Sequence, residues 1–243
     1  MPPCKRDFPW LTCLLAACLG GAGVPAPAVA GPWAAAIHAL ETIREPPPGS
    51  PDRIALWPDG AVPGAAPAAS ARIVERSADP ALPDRYITHV GAPYLVVHRP
   101  PRPTGIGLLV LPGGGYQRVV LDKEGTALVP DFVEHGGITL FVLRYRLPGE
   151  GQDDRDAALA DAQRALRLIR RRAAEWGLDP ARIGVMGFSA GGHLAARLGN
   201  GFDAPLHPAR DAIDRGTARP DFQLLIYPVI DMAGGDAHPG SRE

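Results

Sequence analysis

Short apolar segments alternate with helix-like segments from residue 86 onward, and this alternation constrains the fold of the 243-residue chain more than any other feature. The apolar segments have the length and composition of buried strands and cover residues 94–98, 106–111, 138–143, 183–188 and 222–230. The helix-like segments cover residues 123–135, 154–176 and 190–198. Strands that alternate with helices in this way predict an α/β fold with a mainly parallel sheet and helices on both faces.

The first 30 residues have the pattern of an export signal. Lys5 and Arg6 precede an apolar stretch over residues 8–24, which is followed by the small-residue cleavage motif Ala28-Val29-Ala30. Cleavage there would remove all three cysteines, because they lie within the first 18 residues. A cysteine-free mature chain suits an oxidising compartment, so we expect a secreted or periplasmic protein.

Cys18 offers a second way to process the same segment. The tetrapeptide Leu15-Ala16-Ala17-Cys18 resembles a bacterial lipobox, in which the cysteine is lipidated and becomes the new N-terminus. The alternative to secretion is therefore a lipoprotein anchored through Cys18. A further alternative is an apolar tail that is not cleaved.

The region between this segment and the alternating pattern is rich in proline and alanine. It contains a predicted helix over residues 33–44 and then a proline-dense tract. Prolines at this density disfavour helix interiors and central strands. We therefore expect a lead-in segment that lies on the surface or extends away from it, rather than a domain. The predicted organisation is a signal peptide at residues 1–30, the lead-in at 31–85 and the α/β domain at 86–243.

Charge and hydropathy exclude two classes of partner. The chain has 25 Lys and Arg against 26 Asp and Glu, so it has no excess of positive charge to attract nucleic acid. No interior apolar run reaches the ~20 residues needed to cross a bilayer. The histidines are scattered without metal-ligand spacing. We therefore expect no nucleic acid, no membrane span, no metal and no cofactor.

The pentapeptide Gly187-Phe188-Ser189-Ala190-Gly191 lies between a predicted buried strand and a predicted helix. In that setting Gly-x-Ser-x-Gly forms a sharp, strained turn that exposes the serine hydroxyl above the end of the strand. The helix N-terminus that follows stabilises negative charge. The sequence therefore predicts Ser189 as a catalytic nucleophile. The alternative is a serine that only caps the helix.

A second glycine-rich segment supplies candidates for an oxyanion hole. Pro112-Gly113-Gly114-Gly115-Tyr116 follows the predicted strand at 106–111. Acyl transfer needs backbone N–H groups that bind the oxyanion of the tetrahedral intermediate, and we predict those of Ala190, Gly114 and Gly115. A phosphate-binding loop or a plain glycine turn is the alternative, although a phosphate loop would end in Gly-Lys-Ser/Thr.

Six segments carry a resemblance to a known family. They are Leu56-Trp57-Pro58-Asp59-Gly60, Leu111-Pro112-Gly113-Gly114-Gly115-Tyr116, Leu143-Arg144-Tyr145-Arg146-Leu147, Asp161-Ala162-Gln163-Arg164-Ala165, Asp179-Pro180-Ala181-Arg182-Ile183-Gly184, and residues 187–195. On these segments the chain, over about residues 54–243, resembles the α/β-hydrolase esterases related to acetyl xylan esterases and to the feruloyl-esterase-like bacterial group with xylanase-like names.

The resemblance implies an α/β-hydrolase fold and a secreted carboxylic ester hydrolase. The implied substrate is a small acyl ester, an acetylated plant-wall saccharide, attacked through a Ser acyl-enzyme. Pro112 stands where lipases of the hormone-sensitive type carry a histidine, which favours the carbohydrate-esterase side of the superfamily.

The residues that would complete a catalytic triad are not evident. The order in this fold is Ser, then Asp or Glu, then His, each after a successive strand, and only one predicted strand follows Ser189. We therefore expect a fold that lacks the last strand units, with the acid and histidine beyond Glu243. Asp231 and His238 are the candidate substitutes within the chain, ahead of His193 and His207 as a base.

Two other functions are compatible with these motifs. A serine peptidase of the prolyl-oligopeptidase type shares Gly-x-Ser-x-Gly-Gly, although the chain has no room for the β-propeller that such peptidases usually carry. A catalytically inactive or truncated α/β-hydrolase would instead bind a sugar or a partner through the same cleft. The second alternative follows from the absence of an evident acid and histidine.

Overall fold

The central sheet of the protein has six strands and is accompanied by a smaller sheet. The computed structural model describes residues 45–58, 62–63, 70–148 and 156–230. The central sheet contains β1 (Arg53–Ala55), β4 (Tyr94–His98), β5 (Gly107–Leu111), β7 (Thr139–Arg144), β8 (Ile183–Phe188) and β9 (Gln223–Ile226). The smaller sheet contains β2 (Arg72–Glu75), β3 (Arg85–Thr88) and β6 (Val119–Val120).

The pairing of the strands confirms the predicted mainly parallel core. The order of the central sheet is β1-β4-β7-β5-β8-β9. Strands β7, β5, β8 and β9 are all parallel, while β4 pairs antiparallel with β7 and β1 pairs antiparallel with β4. The smaller sheet is antiparallel throughout. The predicted strands therefore form one sheet, and the glycine loop and Ser189 follow the carboxyl ends of its parallel strands β5 and β8.

Alternate side chains of β5, β7 and β8 pack on opposite faces of the sheet, which explains why these strands are continuously apolar. Leu109, Phe141 and Val185 lie in the larger core cluster, which includes the two α-helices. Leu108 and Val142 lie in a second cluster with residues of a π-helix on the other face. Helices therefore cover both faces of the sheet, as predicted.

The two α-helices are close to the predicted ones. Helix α1 (Ala157–Arg171) is followed by a 3₁₀ turn (Ala173–Trp176), and Gly177 ends that turn with a φ of 64°. Helix α2 (Ala190–Asn200) directly follows Ser189. In the described ranges, no helix combines the length and the apolar composition that a bilayer span requires.

The helix predicted at residues 123–135 is confirmed over residues 126–135, but it is not an α-helix. A 3₁₀ turn (Thr126–Leu128) leads into a π-helix (Val129–His135). Pro130 lies in the first turn of the π-helix, where its missing N–H costs no hydrogen bond. The buried Asp122 carboxylate accepts a hydrogen bond from the Thr126 hydroxyl and forms an ion pair with Arg85. These contacts fix the turn that precedes the π-helix. This long-range contact overrides the local helical pattern.

The predicted strand at residues 222–230 is also shorter than expected. Only Gln223–Ile226 pairs with β8, because Tyr227 turns the chain with a φ of 37° and Pro228 has no N–H to continue the ladder. β9 is an edge strand in the described part of the chain, and Leu224 and Leu225 are more than one third exposed.

The predicted surface lead-in was wrong for residues 53–57. Strand β1 joins the central sheet, and Leu56 and Trp57 are only 1% and 3% exposed. The segment between Pro51 and Pro58 is long enough to pair with β4, and its apolar end buries both side chains despite the surrounding prolines. The predicted helix at 33–44 and the signal peptide lie outside the described residues.

Several segments that carry the family resemblance meet in one buried polar network. Arg146 and Asp161 form a fully buried ion pair, with Nη2 2.8 Å from Oδ1 and Nε 2.9 Å from Oδ2. The Asp161 carboxylate also accepts hydrogen bonds from the Arg146 amide at 3.0 Å and from Trp57 Nε1 at 2.9 Å. Arg164 of α1 binds the Leu56 carbonyl at 3.0 Å. These segments therefore join β1, β7 and α1.

His98, at the end of β4, makes the stability of the protein dependent on pH. Its Nε2 is buried without a hydrogen-bond partner among the described residues, and burial together with the nearby Arg144 lowers its pKa to about 4. Glu45 and Asp52 act in the opposite direction. The unfolded chain, with a histidine pKa of about 6.5, binds more protons than the folded chain between these values. Stability therefore falls as the pH drops through this window.

We expect the free energy of unfolding to fall by about 2 kcal/mol between pH 7 and pH 5 on account of His98. Urea denaturation at both values measures this loss. The His98→Gln variant should lose that part of the dependence, whereas His135→Gln, which replaces an exposed side chain, should retain it. An unchanged pH slope in His98→Gln would contradict the assignment.

Candidate active site

Ser189 lies on a strained turn between β8 and α2. Its φ of 52° and ψ of −116° lie in a region of backbone conformation that residues other than glycine rarely adopt. A Cβ added at Gly187 would lie 2.1 Å from the Gly191 carbonyl oxygen, and one added at Gly191 would lie 2.0 Å from the Leu111 carbonyl oxygen. Both glycines are therefore required for the strand, the turn and the helix to approach so closely, as in a nucleophile elbow.

The surroundings of Ser189 suit a nucleophile more than a helix cap. Its side chain makes no capping hydrogen bond to α2. Among the described residues, the Ser189 hydroxyl has no hydrogen-bond partner, and the residue is partly exposed. The backbone of Ser189 is held by β9, since the Ser189 N–H donates to the Ile226 carbonyl at 3.0 Å. The hydroxyl is thus fixed in position and open to a ligand.

The glycine loop lies directly against the nucleophile. A Cβ added at Gly113 would be 3.1 Å from the Ser189 Cβ and 2.7 Å from the Phe188 carbonyl oxygen. Gly114 and Gly115 have φ values of 135° and 64°, which turn the backbone sharply. Within the described residues, the N–H groups of Gly114, Gly115 and Ala190 donate to no protein acceptor. The predicted oxyanion donors are therefore brought next to Ser189.

Glu124 holds the glycine loop in place. The Gly113 N–H donates to its Oε2 at 2.5 Å, and the Tyr227 hydroxyl donates to its Oε1 at 2.8 Å. One carboxylate thereby links the loop after β5 to the chain that leaves β9. Sequence reasoning missed both Glu124 and Tyr227, because nothing in the local pattern distinguishes them from surface residues of a predicted helix and strand.

His193 interacts with the glycine loop as well. Its Nδ1 lies 2.8 Å from the Tyr116 hydroxyl, and the two rings pack edge to face with centroids 5.8 Å apart. Burial raises the pKa of Tyr116 above its usual range, so the hydroxyl stays protonated at neutral pH. Tyr145 adds a second anchor, with its hydroxyl donating to the Pro112 carbonyl at 2.6 Å. His193 therefore joins α2 to the loop that contains the predicted oxyanion donors.

Of the other candidates for the triad, only His207 lies within the described residues. The His207 Nδ1 lies 2.9 Å from the Pro208 carbonyl oxygen, and its ring packs against Trp57. Asp231 and His238 lie outside the described residues. The chain that precedes Asp231 does run beside the nucleophile, since the Val229 N–H donates to the Ser189 carbonyl at 3.3 Å.

Ser189, Gly114 and Gly115 line one cavity of about 410 Å³. Its wall also carries the charged side chains of Arg76, Arg118, Lys123 and Glu124. No group of three His, Cys, Asp or Glu residues that would hold a metal ion occurs in the described ranges. The chemistry that this cavity offers is a serine hydroxyl beside three backbone N–H donors that have no acceptor among the described residues.

The tight packing of Gly191 gives a test of this geometry. We expect Gly191→Ala to lower the free energy of unfolding by about 3 kcal/mol, because the new methyl group would overlap the Leu111 and Pro112 carbonyl oxygens. Gly201→Ala, at the end of the same helix, meets its nearest atom at 3.2 Å and should have a small effect. Urea denaturation of both variants provides the comparison. Equal losses would contradict the close approach of the elbow and the loop.

Two known esterases resemble the chain in sequence. It is 34% identical over 151 residues to an acetylxylan esterase of Xylanibacter ruminicola, a match that covers 62% of this chain and 28% of that protein. It is also 34% identical over 141 residues to an ethyl acetate hydrolase of Pseudomonas putida, covering 56% of this chain and 41% of that one. The match therefore spans less than half the length of either relative.

A solved structure and a family model agree with the observed architecture. The acetyl ester-xyloside bifunctional hydrolase from Caldicellulosiruptor lactoaceticus superposes with a TM-score of 0.58 at 35% identity, covering 78% of this chain and 61% of that one. The family model described as the alpha/beta hydrolase fold matches residues 108–242, which include the glycine loop, the elbow and both α-helices. The sheet order, the strained serine and this match together show that the chain belongs to the α/β-hydrolase fold family.

Proposed function

We propose that this protein is a carboxylic ester hydrolase that removes acetyl groups from plant-wall saccharides through an acyl-enzyme on Ser189. The observation that carries the proposal is the strained Ser189, held against a glycine loop whose N–H groups are free among the described residues. The related acetylxylan esterase and ethyl acetate hydrolase support an ester as the substrate.

In the proposed reaction the Ser189 oxygen attacks the ester carbonyl while a base accepts its proton. The carbonyl oxygen becomes an oxyanion and is bound by the N–H groups of Ala190, Gly114 and Gly115. Collapse of this intermediate breaks the bond to the alcohol, which leaves with a proton, and the acetyl group remains on Ser189. Water then attacks the acyl-enzyme and releases acetate.

Two of the candidate bases are engaged by other side chains. His193 is engaged with Tyr116, and His207 packs on Trp57. His238 and Asp231 are the proposed partners within the chain, and the approach of Val229 to Ser189 supports a site near the end of β9. Loss of hydrolysis in His238→Gln and Asp231→Asn, with hydrolysis retained in His135→Gln, would identify them.

The substrate class is tested by acetate release. The full chain is incubated with acetylated xylo-oligosaccharides and, separately, with 4-nitrophenyl acetate. We expect acetate from both. Turnover of 4-nitrophenyl acetate alone would contradict the saccharide substrate, and no turnover of either by folded protein would contradict hydrolysis and favour a binding protein.

Export is proposed from the N-terminal sequence. The basic pair Lys5 and Arg6, the apolar stretch and Ala28-Val29-Ala30 support cleavage before Gly31, and Cys18 supports lipidation as the alternative. The N-terminal residue of the protein isolated from an exporting bacterial host distinguishes the two. An intact Met1 in the mature protein would contradict both.

A further inference from the structure

The wall of the cavity that contains Ser189 has an excess of positive charge. Three cations, Arg76, Arg118 and Lys123, line it together with one carboxylate, that of Glu124. Glu124 is already engaged by the Gly113 N–H and the Tyr227 hydroxyl. Hydrolysis of a neutral acetyl ester, the reaction proposed for this site, requires none of these cations.

A single carboxylate forms ion pairs with two of the three cations. Asp84 lies with Oδ1 2.5 Å from Arg76 Nη2 and with Oδ2 2.9 Å from Lys123 Nζ. Although partial burial raises the pKa of Asp84, the hydrogen bonds from Lys123 and Arg76 outweigh it and hold this pKa below its usual value. Asp84 is therefore ionised at neutral pH, and one positive charge of the pair is left uncompensated.

Arg118 has no carboxylate partner in the described part of the chain. Its guanidinium lies over the Tyr86 ring at 5.2 Å, and the Arg76 guanidinium lies over the same ring at 5.4 Å. Its Nε is buried without a hydrogen-bond acceptor among these residues. Both guanidinium groups contact the same aromatic ring and line the cavity together with Lys123. This wall therefore carries a net positive charge, which favours the binding of an anion.

We propose that this wall binds a carboxylate on the alcohol part of the substrate, so that the preferred substrates are acetyl esters of acidic saccharides or of other alcohols that bear a carboxylate. This inference rests on the proposed hydrolase function. An acetyl group beside Ser189 fills only a small part of a 410 Å³ cavity, so the remainder, with the cations, is available to the alcohol part. Charge-assisted hydrogen bonds from Arg118 and Arg76 would hold the carboxylate.

A binding measurement tests this inference independently of catalysis. The probes are 4-acetamidobenzoate, an amide that carries a carboxylate at neutral pH, and the neutral 4-acetamidobenzamide. We expect isothermal titration calorimetry on the full chain to show tighter binding of the carboxylate and a preference that weakens as salt is added. Arg118→Gln should weaken binding of the carboxylate about tenfold and leave binding of the neutral amide unchanged. Arg102→Gln, an exposed arginine outside the cavity wall, is the matched control.

Hydrolysis of the matching esters separates the two proposals. The substrates are 4-acetoxybenzoate and methyl 4-acetoxybenzoate, and Arg118→Gln should lower kcat/KM about tenfold for the first alone. Equal binding of the two amides by the native chain, or an unchanged preference in Arg118→Gln, overturns the inference whether or not esters are hydrolysed. A preference for the carboxylate probe in a protein that hydrolyses neither ester contradicts the proposed hydrolase function instead. An Arg118-dependent preference for 4-nitrophenyl hemisuccinate over 4-nitrophenyl acetate would move the carboxylate to the acyl part and overturn the assignment to the alcohol.

Discussion

Replacing Ser189 with alanine is expected to lower kcat/KM for 4-nitrophenyl acetate at least about 10³-fold. The variant has no hydroxyl to form the acyl-enzyme, and only the backbone N–H groups of the glycine loop remain to polarise the ester. The fold should survive, because the Ser189 side chain makes no hydrogen bond among the described residues and alanine is the smaller residue. Alanine at a φ of 52° carries about the same strain as serine.

The comparison needs a serine that lies outside the site. Ser70→Ala replaces an exposed residue and should hydrolyse the ester at the native rate. Thermal unfolding of both variants shows whether each is folded. A Ser189→Ala protein that retains more than about a tenth of the native kcat/KM would contradict a nucleophilic role.

Replacing Asp161 with alanine is expected to lower the free energy of unfolding by about 3–5 kcal/mol, which is enough to unfold many domains of this size. The substitution leaves the Arg146 guanidinium at the centre of the core without its counter-ion. It also removes the acceptor of the Trp57 indole N–H and of the Arg146 amide. Unsatisfied buried groups add to the cost of the unpaired charge.

Urea denaturation measures this loss. Asp131→Ala, on the exposed face of the π-helix, is the control and should change the free energy of unfolding by less than about 0.5 kcal/mol. Asp161→Asn keeps the shape and some of the hydrogen bonds, so it serves where the alanine variant fails to fold and should also be destabilised. A loss below about 1 kcal/mol in both Asp161 variants would show that the ion pair does not hold β1, β7 and α1 together.

The core of the site could be predicted from the sequence because its signals are local. A buried strand, two glycines around Ser189 and a helix of small residues determine the elbow within residues 183–198, and the structure has β8 and α2 where they were predicted. The same holds for the glycine loop after β5, whose position follows from an apolar run and three glycines.

The rest of the site depends on contacts between distant segments, which a local pattern does not encode. Glu124 binds the loop at Gly113, 11 residues away, and the Tyr227 hydroxyl, 103 residues away. The Tyr116 contact with His193 spans 77 residues. The π-helical type of residues 129–135 and the pairing of the edge strand β1 could not be predicted for the same reason, since Asp122 and Trp57 are fixed by partners in other elements.

The motifs behind the family resemblance have two different physical roles. The elbow and the glycine loop line the cavity, whereas Trp57, Arg146 and Asp161 are buried in the network that joins β1 to α1. Matching the second group therefore indicates a shared fold, and only the first group bears on chemistry.

The most direct test of the central claim is the mass of the intact chain after reaction with diisopropyl fluorophosphate, which phosphorylates activated serines. The account predicts one diisopropylphosphoryl group per chain, located on Ser189 by peptide mapping and formed more slowly in the presence of 4-nitrophenyl acetate. Folded protein that gains no such group, or that gains it on another residue, would contradict the assignment of Ser189 as the nucleophile.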